Sequence, residues 1–253
     1  MAGSCSTSLG LLSADIGVGD EVITPAFNNI ADFQAIKATG ASIVFCDIDD
    51  KTLTIDLKKA EEMITEKTKA IIAMDYQLLF CDHDKINELA KKYNLRVIHD
   101  AAHSFGSKYK GKMIGSFSDI CMFSFDPVKT ITCLDGGALI VNSKEQANKI
   151  RSMRLIGMDQ SVEVMYQNKR ASKYDVQNLG FRYHMSNMHG AIGCAQLAKM
   201  DKIAKSRVKS CIRYSNGLNN IDGITIPDTD WIDIVPLLYY VRVKNRKRLI
   251  FEN

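Results

Sequence analysis

The 253-residue sequence lacks the features that mark several specialised classes of protein. No apolar run approaches the roughly 20 residues that a membrane-spanning helix needs, and the first residues lack the basic flank of a signal peptide. Basic residues number 33 and acidic residues 29, which is too even a balance to indicate a nucleic-acid-binding surface. We therefore expect a cytoplasmic protein that binds neither membranes nor nucleic acid.

The seven cysteines form no CxxC pair and follow no regular spacing. Their odd number and their scatter argue against a disulfide framework and a zinc site, so we predict reduced thiols and no metal centre. The chain also lacks the GxGxxG of dinucleotide-binding folds and the GxxxxGK[ST] of phosphate-binding loops. An ordinary nucleotide-binding α/β domain is therefore the weakest of the functional hypotheses.

What the sequence does contain is a regular alternation of strand-like and helix-like segments. Apolar or β-branched runs alternate with helical patterns every twenty-odd residues, which predicts βαβ units and a mostly parallel sheet with helices on both faces, an α/β fold. We predict strands at residues 21–25, 42–47, 69–74, 95–98, 120–124, 138–141, 221–226 and 237–243. We predict helices at residues 27–39, 57–64, 86–93 and 188–216, a helix from residue 144, and a long loop at residues 157–174.

Several polar side chains follow the carboxyl ends of the predicted strands. Asp100 and His103 come after one strand, and Ser124 ends another. Ligands of open parallel sheets bind beyond these strand ends, so we expect the three side chains to face a common site. Asp100 follows an apolar run and should be buried, where a carboxylate needs a partner. A structural salt bridge or a helix cap is the alternative interpretation of Asp100.

Lys129 follows Ser124 by five residues and has apolar neighbours in the sequence, and a Gly136-Gly137 pair lies shortly after it. Burial lowers the pKa of a lysine, so its amine can be neutral near physiological pH and attack a carbonyl carbon. Taken alone, a solvated loop lysine is the simpler interpretation.

The residues at positions 3–8, GSCSTS, are small and rich in hydroxyls, and an apolar segment follows them. This pattern indicates a helix N-terminus, where hydroxyls cap free amides. The same amides and hydroxyls can hold a phosphate, because the helix dipole favours an anion there. Plain capping is the alternative.

Taken together, these residues match the needs of pyridoxal 5′-phosphate (PLP). The cofactor needs a lysine for covalent attachment and a carboxylate that keeps its pyridine nitrogen protonated. It also needs amides and hydroxyls that hold its phosphate. On these motifs the sequence resembles the DegT-type PLP-dependent sugar aminotransferases, which have the aspartate-aminotransferase-like fold. The resemblance covers about residues 3–216 and includes GVGDEVITP at 17–25, VIHDAAH at 97–103 and FSF at 123–125.

The resemblance implies a role for each of these residues. Lys129 would bind the cofactor covalently and move the proton between the amino donor and the cofactor, and Asp100 would pair with the ring nitrogen. His103 would lie near the phenolic oxygen of the ring, and Ser124 would bind the phosphate. Some relatives have histidine in place of this lysine and act as sugar dehydratases, so the retained Lys129 favours transamination.

The remaining cofactor contacts are less fixed by the resemblance. An alignment without a gap assigns the N-terminal phosphate contacts to Ser4 and Cys5, whereas an alignment on the hydroxyl motif assigns them to Ser6 and Thr7; we prefer the first. Two further contacts depart from the family pattern. Asn29 replaces an aromatic residue over the ring, and Arg182 replaces an asparagine that reaches the phosphate of the neighbouring protomer.

The resemblance also implies the organisation of the chain and its partners. Residues 1–200 would form the PLP-binding large domain, and residues 201–253 a long-helix connection and an incomplete small domain. The expected assembly is a homodimer. The expected substrates are a nucleotide-linked keto sugar, used for polysaccharide synthesis, and glutamate as amino donor. The chain is shorter than the family pattern at both ends, so we expect a truncated member. A non-catalytic or regulatory member that keeps the fold is the alternative.

Overall fold

The computed structural model describes residues 3–158, 175–244 and 246. Its centre is a six-stranded sheet in the order β2-β1-β3-β4-β7-β8. These strands are β1 (Glu21–Pro25), β2 (Ser42–Cys46), β3 (Thr68–Met74), β4 (Arg96–Asp100), β7 (Ile120–Ser124) and β8 (Gly137–Val141). All neighbouring pairs are parallel except β7 and β8, which are antiparallel. The predicted α/β class with a mostly parallel sheet is therefore confirmed.

Seven helices lie within the described residues. They are α1 (Gly3–Ser13), α2 (Ile30–Thr39), α3 (Leu57–Glu62), α4 (His83–Tyr93), α5 (Lys144–Met153), α6 (Asn187–Leu197) and α7 (Met200–Leu218). Local sequence sets several of their ends. The Asp82 carboxylate accepts from an amide in the first turn of α4, and Gly40 ends α2 with a φ of 86°, a conformation that glycine adopts without strain.

The sheet separates two apolar cores. Ile72, Ile98 and Ile120 pack with residues of α1 and α2 on one face, whereas Ile71 and Val97 pack with α3 and α4 on the other. Successive side chains of a strand point to opposite faces, so neighbouring residues of β3 and β4 belong to different cores. This alternation determines which polar side chains meet at the carboxyl ends of these strands.

Several predicted elements differ from those in the structure. The helical pattern at 188–216 forms two helices, because the chain bends at Ala198 and Lys199. The predicted strands at 221–226 and 237–243 shrink to the two-residue β9 (Ile224–Thr225) and β10 (Arg242–Val243), which pair with each other and lie outside the central sheet. Apolar runs in these segments pack as irregular chain instead of extending a sheet.

Other predictions have different outcomes. A small hairpin of β5 (Lys108–Tyr109) and β6 (Lys112–Met113) was not predicted. The predicted loop at 157–174 falls almost entirely outside the described residues, and the division at residue 200 stays a prediction. No helix in the described ranges is both long and apolar enough to cross a membrane.

Candidate active site

The candidate site lies at the carboxyl ends of β3, β4 and β7. Met74, Asp100 and Met122 are paired in register across these strands and line one cavity. Asp100 follows Ile98 by two residues and so faces α1 and α2, whereas His99 faces α4. The end of β4 therefore presents a carboxylate on one face of the sheet and an imidazole on the other.

The Asp100 carboxylate is only 3% exposed. Its Oδ1 accepts a hydrogen bond from the Ala102 amide at 2.9 Å, which fixes the orientation of the carboxyl group where β4 ends. A buried carboxylate needs such partners, because transfer from water to an apolar interior without them is costly. This hydrogen bond occupies Oδ1, so Oδ2 of Asp100 is the oxygen that can interact with groups in the cavity.

Lys129 belongs to a loop that turns sharply after β7. The backbone amides of Lys129 and Cys133 donate to the carbonyls of Asp126 and Phe125, both at 3.0 Å, and these bonds close the loop on itself. Thr130 and Ile131 are buried beside Lys129 and anchor the loop. The lysine side chain is consequently held at the cavity, and burial lowers the pKa of its amine.

Lys129 and Asp100 line the same cavity, which has a volume of about 240 Å³. The predicted site residues Ser124, His103, Ser4 and Asn29 line it as well. Residues that are distant in the sequence thus converge on one cavity from α1, α2, β4 and the loop after β7. The other lining residues are Gly3, Ala31, Asp32, Met74, Ala102, Met122, Asp126 and Val128.

The N-terminus of α1 lies directly against Ser124, whose side chain is 5% exposed. A Cβ atom at Gly3 would lie 2.8 Å from the Cβ and 2.9 Å from the Oγ of Ser124, which is closer than real contacts allow. Only glycine permits this approach, because any side chain would push the helix away from the serine. Backbone amides of the first turn and the Ser124 hydroxyl therefore form one concave surface, of the kind that binds anions.

The two N-terminal registers are in different surroundings. Ser4 lines the cavity, and Cys5 is partly buried next to it in the first turn of α1. The Thr7 hydroxyl instead donates to Asp32 at 3.0 Å, and the Ser6 hydroxyl is buried without a hydrogen-bond partner in the described part of the chain. Of the four residues, Ser4 alone is among the described residues that line the cavity, and the choice between the two registers stays a prediction.

His103 borders the cavity as a neutral imidazole. Its Nδ1 accepts from the Gln77 amide at 3.4 Å, a bond that requires an unprotonated nitrogen. Burial, together with the neighbouring Lys129, lowers the pKa of His103 to about 4. The Nε2 atom consequently carries the ring proton and is the hydrogen-bond donor that His103 offers. Gln77 adopts a φ of 56°, a region that favours glycine, in the turn after β3.

Asn29 and Arg182 differ in their relation to the cavity. Asn29 is at its rim, where its side chain caps α2 by accepting from the Ala31 amide at 2.9 Å. Arg182 is exposed, forms a β-bridge with Leu155 and does not line the cavity. A contact of Arg182 with the cofactor of its own protomer therefore has no support in this geometry.

Asp32, in the first turn of α2, was not predicted as a site residue. An acidic residue at that position ordinarily complements the helix dipole at the surface, so the pattern gave no signal of a site. In the structure Asp32 is 1% exposed and lines the cavity beside Asp100. Burial and the neighbouring Asp100 carboxylate raise the pKa of Asp32 well above its ordinary value.

A second buried polar cluster was also missed, and it lies on the opposite face of the sheet. Asp75 binds His83 Nε2 at 2.9 Å and His99 Nε2 at 2.7 Å, and the Ser104 hydroxyl donates to it at 2.7 Å. Three such residues can form a metal site, but here the carboxylate and the two imidazoles are already hydrogen-bonded to one another. The cluster is explained as a buried ion pair, and we assign it no metal.

A profile of the DegT/DnrJ/EryC1/StrS aminotransferase family matches residues 2–252.

The chain belongs to the DegT/DnrJ/EryC1/StrS aminotransferase family.

Individual relatives agree with this membership. GDP-perosamine synthase of Escherichia coli O157:H7 is 39% identical over 219 residues, which are 87% of this chain and 57% of that protein. Spore coat polysaccharide biosynthesis protein SpsC of Bacillus subtilis is 36% identical over 226 residues, or 88% of this chain and 58% of that protein. This member of the family thus spans less than two thirds of the length of these curated relatives.

Solved structures agree on the fold. The X-ray structure of DesV of S. venezuelae, in complex with a ketimine intermediate, has a TM-score of 0.87 and 32% identity. That match covers 98% of this chain and 64% of DesV. A Streptococcus pneumoniae protein solved in a PMP form has a TM-score of 0.85 and 27% identity, over 96% of this chain and 66% of that one. The predicted fold of PLP-dependent aminotransferases is therefore confirmed for this family member.

The cavity of this DegT/DnrJ/EryC1/StrS family member fits the cofactor that the family implies. It offers an amine at Lys129, a buried carboxylate at Asp100 and a concave anion cradle at Ser124 and Gly3. A larger groove of about 510 Å³ lies elsewhere, between α7 and residues 231–235. Its lining is mostly apolar with a few charged side chains, and it includes neither a buried carboxylate nor the Gly3 and Ser124 cradle, so size alone does not make it the site.

Proposed function

We propose that this chain is a PLP-dependent aminotransferase that places an amino group on a keto carbon of a nucleotide-linked sugar. The observation that supports the proposal most is that Lys129 and Asp100 line one cavity with Ser124 and the N-terminus of α1. Residues from four separate segments of the chain, at positions 3, 100, 124 and 129, supply an amine, an acid and an anion cradle to the same space. Membership of an aminotransferase family supports the same proposal.

When bound, PLP supplies an electron sink that stabilises negative charge on the carbon being deprotonated. Asp100 would keep the ring nitrogen protonated, because a buried carboxylate stabilises a neighbouring positive charge. Lys129 would hold the cofactor covalently, and its amine, when released, would carry the proton to and from the reacting carbon. Its lowered pKa suits this task, since only the neutral amine accepts a proton.

The remaining residues would position the cofactor. Ser124, Ser4 and Cys5 would hold the phosphate at the first turn of α1, where free amides and the helix dipole favour an anion. His103 would donate from Nε2 toward the phenolic oxygen of the ring. Asn29 would border the ring face.

The names of relatives support the substrate class. GDP-perosamine synthases and a spore coat polysaccharide protein are among them, which supports a nucleotide-linked sugar used for polysaccharide synthesis. Glutamate is the amino donor that we propose. A solvent-facing Arg182 agrees with a contact across a homodimer better than with a contact inside its own protomer. The homodimer and the cytoplasmic location remain part of this proposal.

The test is spectroscopic. The purified protein with PLP should show the visible absorbance of a lysine-bound cofactor, and Lys129→Ala should abolish that band while Lys112→Ala, an exposed lysine of β6, should keep it. Adding glutamate should then convert the band to that of the amine form of the cofactor. An unmutated protein that shows no band would contradict the proposal.

Two further outcomes separate the alternatives. Binding of PLP without conversion by glutamate would favour the non-catalytic family member. Gly3→Ala tests the phosphate cradle, because the added methyl would collide with Ser124, and we expect weaker PLP binding. Gly190→Ala is the matched control, since nothing lies within 4 Å of the methyl it would add in α6.

A further inference from the structure

Asp32 is the one buried carboxylate of the cavity, besides Asp100, in the part of the chain that the structure describes. It accepts hydrogen bonds from the Thr7 hydroxyl at 3.0 Å and from the Asn28 amide at 2.8 Å. Both donors are neutral. The side chain is therefore held firmly in place without an opposite charge of its own.

The charged groups that face Asp32 are few. Asp100 at the end of β4 is its close neighbour, near enough for the two carboxyl groups to share a hydrogen bond. Lys129 is the cation of the cavity, and it also faces Asp100 and Asp126. Helix α1 contributes the uncharged Thr7, which donates to Asp32. Strand β1 contributes the uncharged Thr24, which accepts a hydrogen bond from Asn28. His103 faces Lys129 and Asp100 as a neutral ring.

Two neighbouring carboxylates that are both buried cannot both ionise without a large electrostatic cost. One proton shared between them removes the repulsion and forms a hydrogen bond from the neutral acid to the carboxylate. Asp32 is the better holder of that proton, because the Lys129 cation acts more strongly on Asp100 than on Asp32 and stabilises a negative charge there. Burial raises the pKa of Asp32 in the same direction.

We propose that Asp32 is a positioning residue that stays protonated at neutral pH and donates a hydrogen bond to Asp100. The pair then carries one negative charge, located on Asp100 and aimed at the ring nitrogen of the cofactor. The Asp32 hydroxyl and the Ala102 amide hold the Asp100 carboxylate from two sides. This inference rests on the proposed function for its meaning, but the protonation of Asp32 can be measured without any cofactor.

The sign of the pH dependence follows from proton linkage. The unfolded chain releases the Asp32 proton near its ordinary pKa, whereas the folded protein keeps it to a higher pH. The wild type therefore loses stability as pH rises between the unfolded and the folded pKa. Asp32→Asn cannot titrate and has no such loss. The ratio of the folding equilibrium constants, wild type over Asp32→Asn, should fall by about tenfold per pH unit in this window.

The experiment compares the cofactor-free wild type with Asp32→Asn by urea unfolding from about pH 5 to about pH 8, the range in which linkage predicts the fall. A ratio that keeps falling past neutral pH supports a protonated Asp32. A ratio that is flat, or that levels off below about pH 7, overturns the proposal, since Asp32 would then be ionised in the folded protein at neutral pH. This measurement stands even if the protein binds no PLP.

Two further readouts keep the test decisive. Infrared spectra of the unmutated protein should contain the carbonyl stretch of a buried neutral carboxyl group at pH 7, which shifts in heavy water; its absence overturns the proposal even if Asp32→Asn does not fold. In PLP titrations Asp32→Asn should keep the wild-type affinity within about threefold, since the amide also donates to Asp100. Asp32→Ala should lose roughly tenfold or more, the usual effect of losing a hydrogen bond to a charged group. Equal losses in both variants would contradict the donor role.

Discussion

Asp32 and Asp75 are two fully buried carboxylates at the same end of the sheet, 1% and 0% exposed, on opposite faces. Burial alone raises the pKa of either one. Asp32 has a second carboxylate beside it, and its pKa is raised well above the ordinary value. Asp75 lies between His99 and His83, whose charges and hydrogen bonds outweigh its burial and hold its pKa below the ordinary value. The partner, more than the depth of burial, decides the charge state.

The same contrast applies to the histidines of the two faces. Burial would lower the pKa of His99, but the Asp75 charge outweighs it and raises that pKa to about 10. No carboxylate in the ranges that the structure describes is hydrogen-bonded to His103, and burial together with the neighbouring Lys129 lowers its pKa to about 4. Within the described residues, one face thus holds a buried ion pair of Asp75 with His83 and His99, which suits a structural role. The other face holds Asp100, Lys129 and the neutral His103 around a cavity, which suits chemistry that moves protons.

The largest expected effect is the difference in stability between two variants, each with one of these aspartates replaced by asparagine. Each carboxylate oxygen of Asp75 accepts two hydrogen bonds. In Asp75→Asn the side-chain NH2 group would therefore face groups that donate, and His99 would lose its counter-charge. We expect a loss of about 3 kcal/mol or more in the free energy of unfolding, measured in urea at pH 7. Asp32→Asn should lose little or gain, because the Thr7 hydroxyl can rotate and accept instead of donating. Similar losses in both variants would contradict the difference in charge between Asp75 and Asp32.

The second expected effect is a loss of stability at alkaline pH that depends on His99. The folded pKa of His99, about 10, exceeds its ordinary value of 6.5. Its contribution to stability is therefore complete below about pH 6.5 and is lost as pH rises through about 10. Thermal unfolding of the wild type should show a melting temperature that falls across this range. Asp75→Asn should show a shallower fall, and an identical slope in the two proteins would refute the charged pair.

A smaller effect on stability is expected when the hydroxyl group that donates to each carboxylate is removed. Ser104 donates to the ionised Asp75 at 2.7 Å and Thr7 donates to Asp32 at 3.0 Å. Hydrogen bonds to charged groups contribute more than those between neutral groups, so Ser104→Ala should cost roughly 2 kcal/mol and Thr7→Val about 1 kcal/mol. Urea unfolding at pH 7 gives both values. A larger cost for Thr7→Val would indicate that Asp32, too, is ionised.

The smallest effect concerns His103→Gln on the acid side. A folded pKa of about 4 lies below the ordinary 6.5, so the neutral ring contributes stability above about pH 6.5 that is lost as pH falls toward 4. The glutamine can accept from the Gln77 amide but cannot titrate. The melting temperature of His103→Gln should fall less steeply than that of the wild type as pH falls over this range. An unchanged slope would mean that His103 is exposed to solvent in solution.

Much of the fold could be predicted because its signals are local. Strand β1 and strand β7 have the predicted bounds, and Gly40 ends α2 as expected. The prediction was wrong where packing overrules a local pattern. The helical periodicity of 188–216 continues through Lys199, where the chain breaks into two helices. The apolar run 237–243 pairs only at its last two residues, with β9, and does not join the central sheet.

The candidate site divides in the same way. Lys129, Asp100, Ser124 and His103 could be proposed from residue type and from their positions after strands, and they line one cavity. Asp32 could not, because an acid in the first turn of a helix is ordinarily exposed. Its burial depends on α1 packing against α2, which brings Thr7 over it.

The sequence by itself determined the order of strands and helices, the membership of a family and the residues at the strand ends, because each depends on short-range patterns. Only the tertiary structure decided which of those residues meet and what charge they carry. Neighbouring residues of one strand, His99 and Asp100, face opposite sides and find opposite partners there. Electrostatic interactions act through space between distant residues, so the charge of each group became visible only once the chain was folded.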